Sequence, residues 1–319
     1  MKTITLLPAS VAAMLLSFMV SASAQSHLTW VSSYGSGSVC TRAAPCASFA
    51  AAYAATLPGG EINCVDTGNF SIDSPLTITK SITIDCGGTI GAFTGNLSGN
   101  PIRIQGDGIV VTLRNLTIMG SNANSVGIDF QSSGGLFVVN CILQSFNGAP
   151  AIGIRFRPSA GAQLVVTDTV ITNNGSGPFG GGIVVSPQAG GYAFVVLNRV
   201  TVSSNAFGIA VDGTGSTTGI NMTITDSVIS GNSQDGIIAV TPSGGAPIGV
   251  LVKNTKSVNN SRGIRSIGPN VTVRVDNSAI NGNSTGLSFS GGGALLSFGN
   301  NNVESNGANG AFSGPVALK

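Results

Sequence analysis

Gly127-Ile128-Asp129-Phe130, Gly153-Ile154-Arg155-Phe156, Gly182-Ile183-Val184-Val185 and Gly208-Ile209-Ala210-Val211 are four appearances of one phrase. The phrase returns as Gly236-Ile237-Ile238-Ala239, Gly263-Ile264-Arg265-Ser266 and Gly286-Leu287-Ser288-Phe289, then fades at Gly310-Ala311-Phe312. The first and eighth glycines are 183 residues apart over seven steps, which sets a period of about 26. Self-similarity at a period of roughly 20–50 residues marks a solenoid, a propeller or an array.

A second landmark sits between the first. Each repeat carries an alternating apolar stretch that ends in Asn or Asp: Val111-Thr112-Leu113-Arg114-Asn115, Phe137-Val138-Val139-Asn140, Leu164-Val165-Val166-Thr167-Asp168, Phe194-Val195-Val196-Leu197-Asn198, Met222-Thr223-Ile224-Thr225-Asp226. Period-two alternation is the strand signal. About three short strands per repeat cannot be parallel neighbours joined by hairpins. Bent around a triangle and stacked on the next repeat, they can. Asn suits the bends because it tolerates the left-handed backbone, and stacked Asn side chains can bond up the stack. The insertions 173–181 and 241–248 fall between landmarks and read as surface loops.

Composition agrees with a solenoid: 46 of 319 residues are Gly and only 8% are charged, yet 42% are hydrophobic and regularly spaced, which is not a disordered pattern. Net charge is +2 with no run of Lys or Arg, so a nucleic-acid partner is not expected. Residues 1–24 have the form of a secretory signal. Lys2 precedes the apolar run Val11 to Val20, and Ala22-Ser23-Ala24 offers a small-residue cleavage site. That run is too short to span a bilayer, and no other stretch is long enough. The expectation is an exported monomer, periplasmic or extracellular.

Cysteines fit an oxidising compartment. Cys40 and Cys46 flank a tight loop and are expected to pair. Cys64 and Cys86 share the parity of the apolar residues around them and are close to one repeat apart. On stacked strands about 4.8 Å apart they come within disulfide reach. Cys141 is left over. From Pro45 to Leu57, the residues Phe49, Ala50, Tyr53 and Ala54 recur at helical spacing, with Pro58-Gly59-Gly60 as the stop.

The Cys40–Cys46 loop, the Ala-rich helix, Gly59-Gly60-Glu61-Ile62 and Thr77-Ile78-Thr79-Lys80-Ser81-Ile82-Thr83-Ile84 resemble the opening of secreted bacterial right-handed parallel β-helix repeat proteins. The resemblance runs over roughly residues 61–319 and supplies the handedness. It implies an all-β, right-handed parallel β-helix solenoid of about ten coils, with a short N-terminal α-helix covering the open end of the first coil. The division is then 1–24 leader, 25–60 capping segment and 61–319 β-helix.

The wider fold hosts pectate lyases, polygalacturonases and other enzymes, and fold alone does not choose among them. The only histidine is His27, and no Asp-Asp pair occurs, which argues against a polygalacturonase-like site. The twelve acidic residues are scattered singly, so no metal site and no cofactor is expected. Asp168 and Asp226 take the same turn position two coils apart with Asn198 between. Asp212 and Asp235 sit about five residues out of register, too far apart for a catalytic pair.

The most suggestive group is Asp129 and Arg155, which follow Gly-Ile on adjacent coils, with Arg157 two residues on. It forms either an anion or sugar-acid contact or a solvated cross-strand ion pair, and the pattern favours the ion pair. Phe130, Phe156 and Phe289 at matching positions read as an interior stack. The resulting expectation is a structural or binding protein directed at polysaccharide, with an atypical polysaccharide lyase or glycoside hydrolase as the alternative.

Overall fold

The computed structural model describes residues 25–70, 75–93, 99–120, 125–177 and 180–317, and the secretory leader expected at 1–24 lies outside them. The chain winds through three strands per repeat. Gly134–Val139, Ile142–Gln144 and Ile152–Phe156 make one winding, and Gly161–Thr167 starts the next. Strands of like position stack into three parallel sheets of twelve, ten and nine strands, here called the first, second and third. The result is a β-solenoid of about ten turns. No helix among the described residues is long and apolar enough to cross a membrane.

The recurring phrase lies in the third sheet, with Ile128 opposite Ile102 and Ile154, and Ile183 opposite Ile209. Its glycine has a steric cause. A Cβ on Gly153 would stand 2.7 Å from the Gly182 carbonyl oxygen and 2.8 Å from Ile171 Cγ2. Gly182 and Gly208 are confined in the same way. At this corner the backbone presses against the interior side chains of the second sheet, and only hydrogen fits.

The corner from first to second sheet turns on one left-handed residue. Asn115, Asn140, Asp168, Asp226 and Asn254 have φ of 57°, 52°, 53°, 52° and 49°. In the intervening coil the left-handed residue is Arg199, at 50°, and not Asn198. Asn198 instead pairs with Thr167 and Thr225 inside the strand, which corrects its expected place between Asp168 and Asp226.

The corner from second to third sheet holds a buried amide ladder. Asn174, Asn205, Asn232, Asn260 and Asn283 follow one another, and each of the last four accepts the backbone N–H and the side-chain N–H of the Asn one coil earlier, while Asn174 accepts from the Phe146 backbone N–H. Asn174 belongs to the segment expected as a surface loop, yet it is wholly buried. Each side chain satisfies a corner amide that faces no strand.

Ile, Val, Leu and Phe fill the interior of each coil. Phe130 and Phe156 stack with centroids 4.6 Å apart. Phe289 does not continue that stack, since Val185, Val211, Ala239 and Ser266 intervene and Phe289 is exposed near the end of the solenoid, where fewer coils cover it.

The helix is shorter than the expected span, Phe49–Ala55, and it buries Phe49, Ala52 and Ala55, leaving Ala50 and Ala54 exposed. Phe49 stacks on Phe93 at 4.4 Å, so the helix closes over the interior. Pro58-Gly59-Gly60 does not end the helix. It lies inside the strand Thr56–Cys64 that follows at once. The stack also begins earlier than residue 61, because Ser26–Val31 pairs with that strand. Disulfides join Cys40 to Cys46 and Cys64 to Cys86, and Cys141 is a buried free thiol whose pKa burial pushes up to about 12. Gly314–Pro315, against Leu296–Ser297, closes the first sheet at the other end.

Candidate functional site

Asp129 and Arg155 are register partners on adjacent strands of the third sheet. Arg155 Nε and Nη2 donate to Asp129 Oδ1 and Oδ2 at 2.9 and 2.7 Å, a two-point fork. Asn100 Nδ2 and Gln131 Nε2 also donate to Oδ2, at 2.8 and 2.6 Å. Arg157 stays 3.9 Å away. The pair is not the solvated one expected, because the Asp129 carboxylate is 0% exposed. Parity points it outward, but the amides and guanidiniums cover it. Burial acts to raise its pKa, yet the bonds and charge of Arg155, helped by Gln131 and Arg157, hold it below the usual carboxylate range. A carboxylate so filled is neither a general acid nor a metal ligand. The exposed parts of the cluster are the arginines.

Asp168 and Asp226 flank Arg199 along the first corner. Arg199 Nε and Nη2 hold both Asp168 oxygens at 2.6 and 2.8 Å, and Asn198 Nδ2 reaches Asp226 Oδ2 at 3.3 Å. The Arg199 bond lowers the Asp168 pKa, the wrong direction for a general acid. Asp212 lies opposite Val240 while Asp235 lies opposite Arg262, so these two do not converge. Among the described residues no three His, Cys, Asp or Glu side chains form a group able to hold a metal ion.

The first sheet presents a feature that composition hides. Its strands are the longest, and their outward residues form two columns. Gln163, Phe194, Asn221, Gly249 and Thr272 make one, and Val165, Val196, Thr223, Leu251 and Arg274 the other. Phe194 is 51% exposed, and its ring meets that of Tyr192 at 4.4 Å. The Tyr192 hydroxyl accepts from Asn221 Nδ2. Gly219 makes room for this ring, since a Cβ there would lie 2.8 Å from Tyr192 Cε2. Gly249 leaves a gap beyond Asn221. The outcome is a shallow trough of about 310 Å³ between Phe194 and Arg274, floored by Thr223 and Leu251.

Three aromatic types counted over a whole chain do not reveal this trough. Its signal was register: Tyr192 and Phe194 share one face of one strand and meet Asn221 only because the next coil lies above.

Comparison with known proteins agrees with the winding. Residues 76–224 match the family described as right handed beta helix region. The crystal structure of pectate lyase Pel9A is similar, with a TM-score of 0.54 at 16% identity, over 92% of this chain and 79% of that one. A rhamnogalacturonan lyase structure has a TM-score of 0.44 at 11% identity, over 82% of each chain. No curated protein matches the sequence. At 16% identity the likeness to the pectate lyase is one of fold alone, and the chain has the right-handed parallel β-helix fold.

Proposed function

We propose that the protein is an exported, non-catalytic binding protein that holds a polysaccharide chain along the outer face of its first sheet. The observation that carries this reading is the exposed Phe194 ring, backed by the half-buried Tyr192 ring, at one end of a trough whose polar groups are Asn221, Thr223 and Arg274. Aromatic faces flanked by amide, hydroxyl and guanidinium donors suit a sugar ring, which is apolar on its faces and rich in hydroxyls at its rim. Successive strands about 4.8 Å apart offer these groups in a line, as a polymer requires. The pectate lyase that shares the fold is by its name a polysaccharide-acting protein, and the two disulfides suit an extracellular setting. The carboxylates at Asp129 and Asp168 are occupied by arginine, which supports binding over hydrolysis.

The test is affinity electrophoresis of the exported chain in gels containing neutral or acidic polysaccharides. Phe194→Ala should weaken retention about tenfold, the range of an interface anchor, with melting unchanged because the ring is exposed. Unchanged retention in that variant, or release of new chain ends from the polymer, would sink the reading.

A further inference from the structure

Four of the nine arginines lie in strands of the third sheet and Arg157 directly follows one, and they are not spread evenly. Its outward column runs Arg103, Asp129, Arg155, Val184, Ala210, Ile238, Arg265, one residue per coil. At one end the Asp129 carboxylate is filled by Arg155, Asn100 and Gln131. Arg157, one third exposed, is left 3.9 Å away, and its buried Nε has no partner. Arg103 stands opposite Asp129 on the preceding coil. Burial, then the charges of Arg155 and Arg103, press the Arg157 pKa down, while Asp129 opposes them.

At the other end the Asp235 carboxylate is 1% exposed, with Arg262 Nη1 at 3.4 Å, Arg265 Nη1 at 3.8 Å and Oδ1 without a partner. Burial raises its pKa despite the two arginines. Both clusters thus bury an acid and turn guanidinium groups outward. Between them the column is uncharged, and among the described residues Asp212 in the neighbouring column is the remaining acid on this face's strands. Arg155 and Arg265 are four strands apart, about 19 Å.

We propose that this face binds a glycan carrying sulfate or phosphate esters, laid along the solenoid axis, with one ester at Arg103 and Arg157 and another at Arg262 and Arg265. The planar two-point site of Arg155 is already taken by Asp129. What remains are single N–H groups, reaching in from two coils at Arg103 and Arg157 and from two places on one strand at Arg262 and Arg265, which suit a tetrahedral ester with three terminal oxygens better than a planar carboxylate. The buried acids lie within ion-pair distance of Arg157, Arg262 and Arg265, which limits the side-chain freedom lost on binding. The proposal is independent of the trough on the first sheet, which lies on another face.

The test is calorimetric titration of the full exported chain with a dextran sulfate hexasaccharide and a phosphorylated glucan hexasaccharide, beside galacturonate and neutral dextran hexasaccharides. The variants are Arg157→Gln, Arg265→Gln and Phe194→Ala. Neither arginine supplies the fork to Asp129, and melting curves confirm the fold. Should either variant unfold, Arg103→Gln or Arg262→Gln replaces it.

Expected are binding of the sulfated or the phosphorylated chain that weakens about tenfold at high salt, a loss of about fivefold or more in each arginine variant, and no loss in Phe194→Ala. A sulfated disaccharide, too short to reach both clusters, should depend on one of the two arginines alone. Affinity unchanged in both folded arginine variants, equal affinity for the galacturonate chain, or loss of binding in Phe194→Ala would each overturn it.

Discussion

Arg155 grips both oxygens of Asp129 from the next coil, at 2.9 and 2.7 Å, around a carboxylate that solvent does not reach. Removing Arg155 leaves the Asp129 charge buried without its fork. Arg155→Met should therefore cost about 3–5 kcal/mol, measured as a shift in urea midpoint. Replacing both at once, Asp129→Leu with Arg155→Met, should cost less than Arg155→Met alone. A double variant worse than either single would show that the amides, and not the charge pair, dominate the cluster.

The amide ladder makes a graded prediction. Asn232 accepts from the Asn205 backbone at 3.0 Å and donates to the Val202 carbonyl at 3.3 Å and to Asn260 Oδ1 at 2.8 Å. Asn232→Ala removes hydrogen bonds from buried groups on both neighbouring coils and should cost about 2 kcal/mol or more. Asn306, at the far end of the ladder, bonds to Asn309 in an exposed turn. Asn306→Ala should cost less than half as much. Equal losses on thermal melting would argue against a cooperative ladder.

Two buried carboxylates should move stability in opposite directions with pH. Asp129 titrates below its ordinary 3.8 in the fold, so its contribution is full above that value and is lost as pH falls through the folded pKa. Asp235 titrates above 3.8, so its contribution is full below that value and is lost as pH rises through its folded pKa. Asp235→Asn should match the parent near pH 3, to within about a degree, and melt increasingly above it toward neutrality. A gap that narrows with rising pH would contradict the burial argument.

The disulfides differ in reach. Cys64–Cys86 closes 22 residues and Cys40–Cys46 only 6. Chain-entropy arguments give about 3 and about 2 kcal/mol respectively. Paired Cys64→Ala and Cys86→Ala should lower the melting temperature more than the other pair. Gly91 belongs to the same site, since its Cβ would fall 2.9 Å from Cys64 Sγ and closer still to Cys86 Sγ. Gly91→Ala should slow formation of that disulfide, followed by thiol titration during refolding.

Much of the architecture could be read without coordinates, because it is set by one-dimensional rules. A period near 26, alternating apolar residues, and Asn or Asp at each bend specify strands, interior side and corners together. Parity and a spacing close to one repeat placed Cys64 beside Cys86. The same logic gave the right partner for Asp129, since both residues follow Gly-Ile.

Tertiary structure decided what depends on cover and on neighbouring coils. Parity says that Asp129 points outward, but only packing shows that Asn100, Gln131 and Arg155 close over it. Phe289 has the interior position of Phe130, yet the solenoid ends beside it and leaves it bare. Asn198 and Arg199 are adjacent, and only the backbone shows which one takes the left-handed turn. The Tyr192–Phe194 trough and the paired arginine clusters join residues of different coils. Local pattern determines which way a side chain leaves the strand, whereas burial and charge are sums over everything stacked above, below and across it.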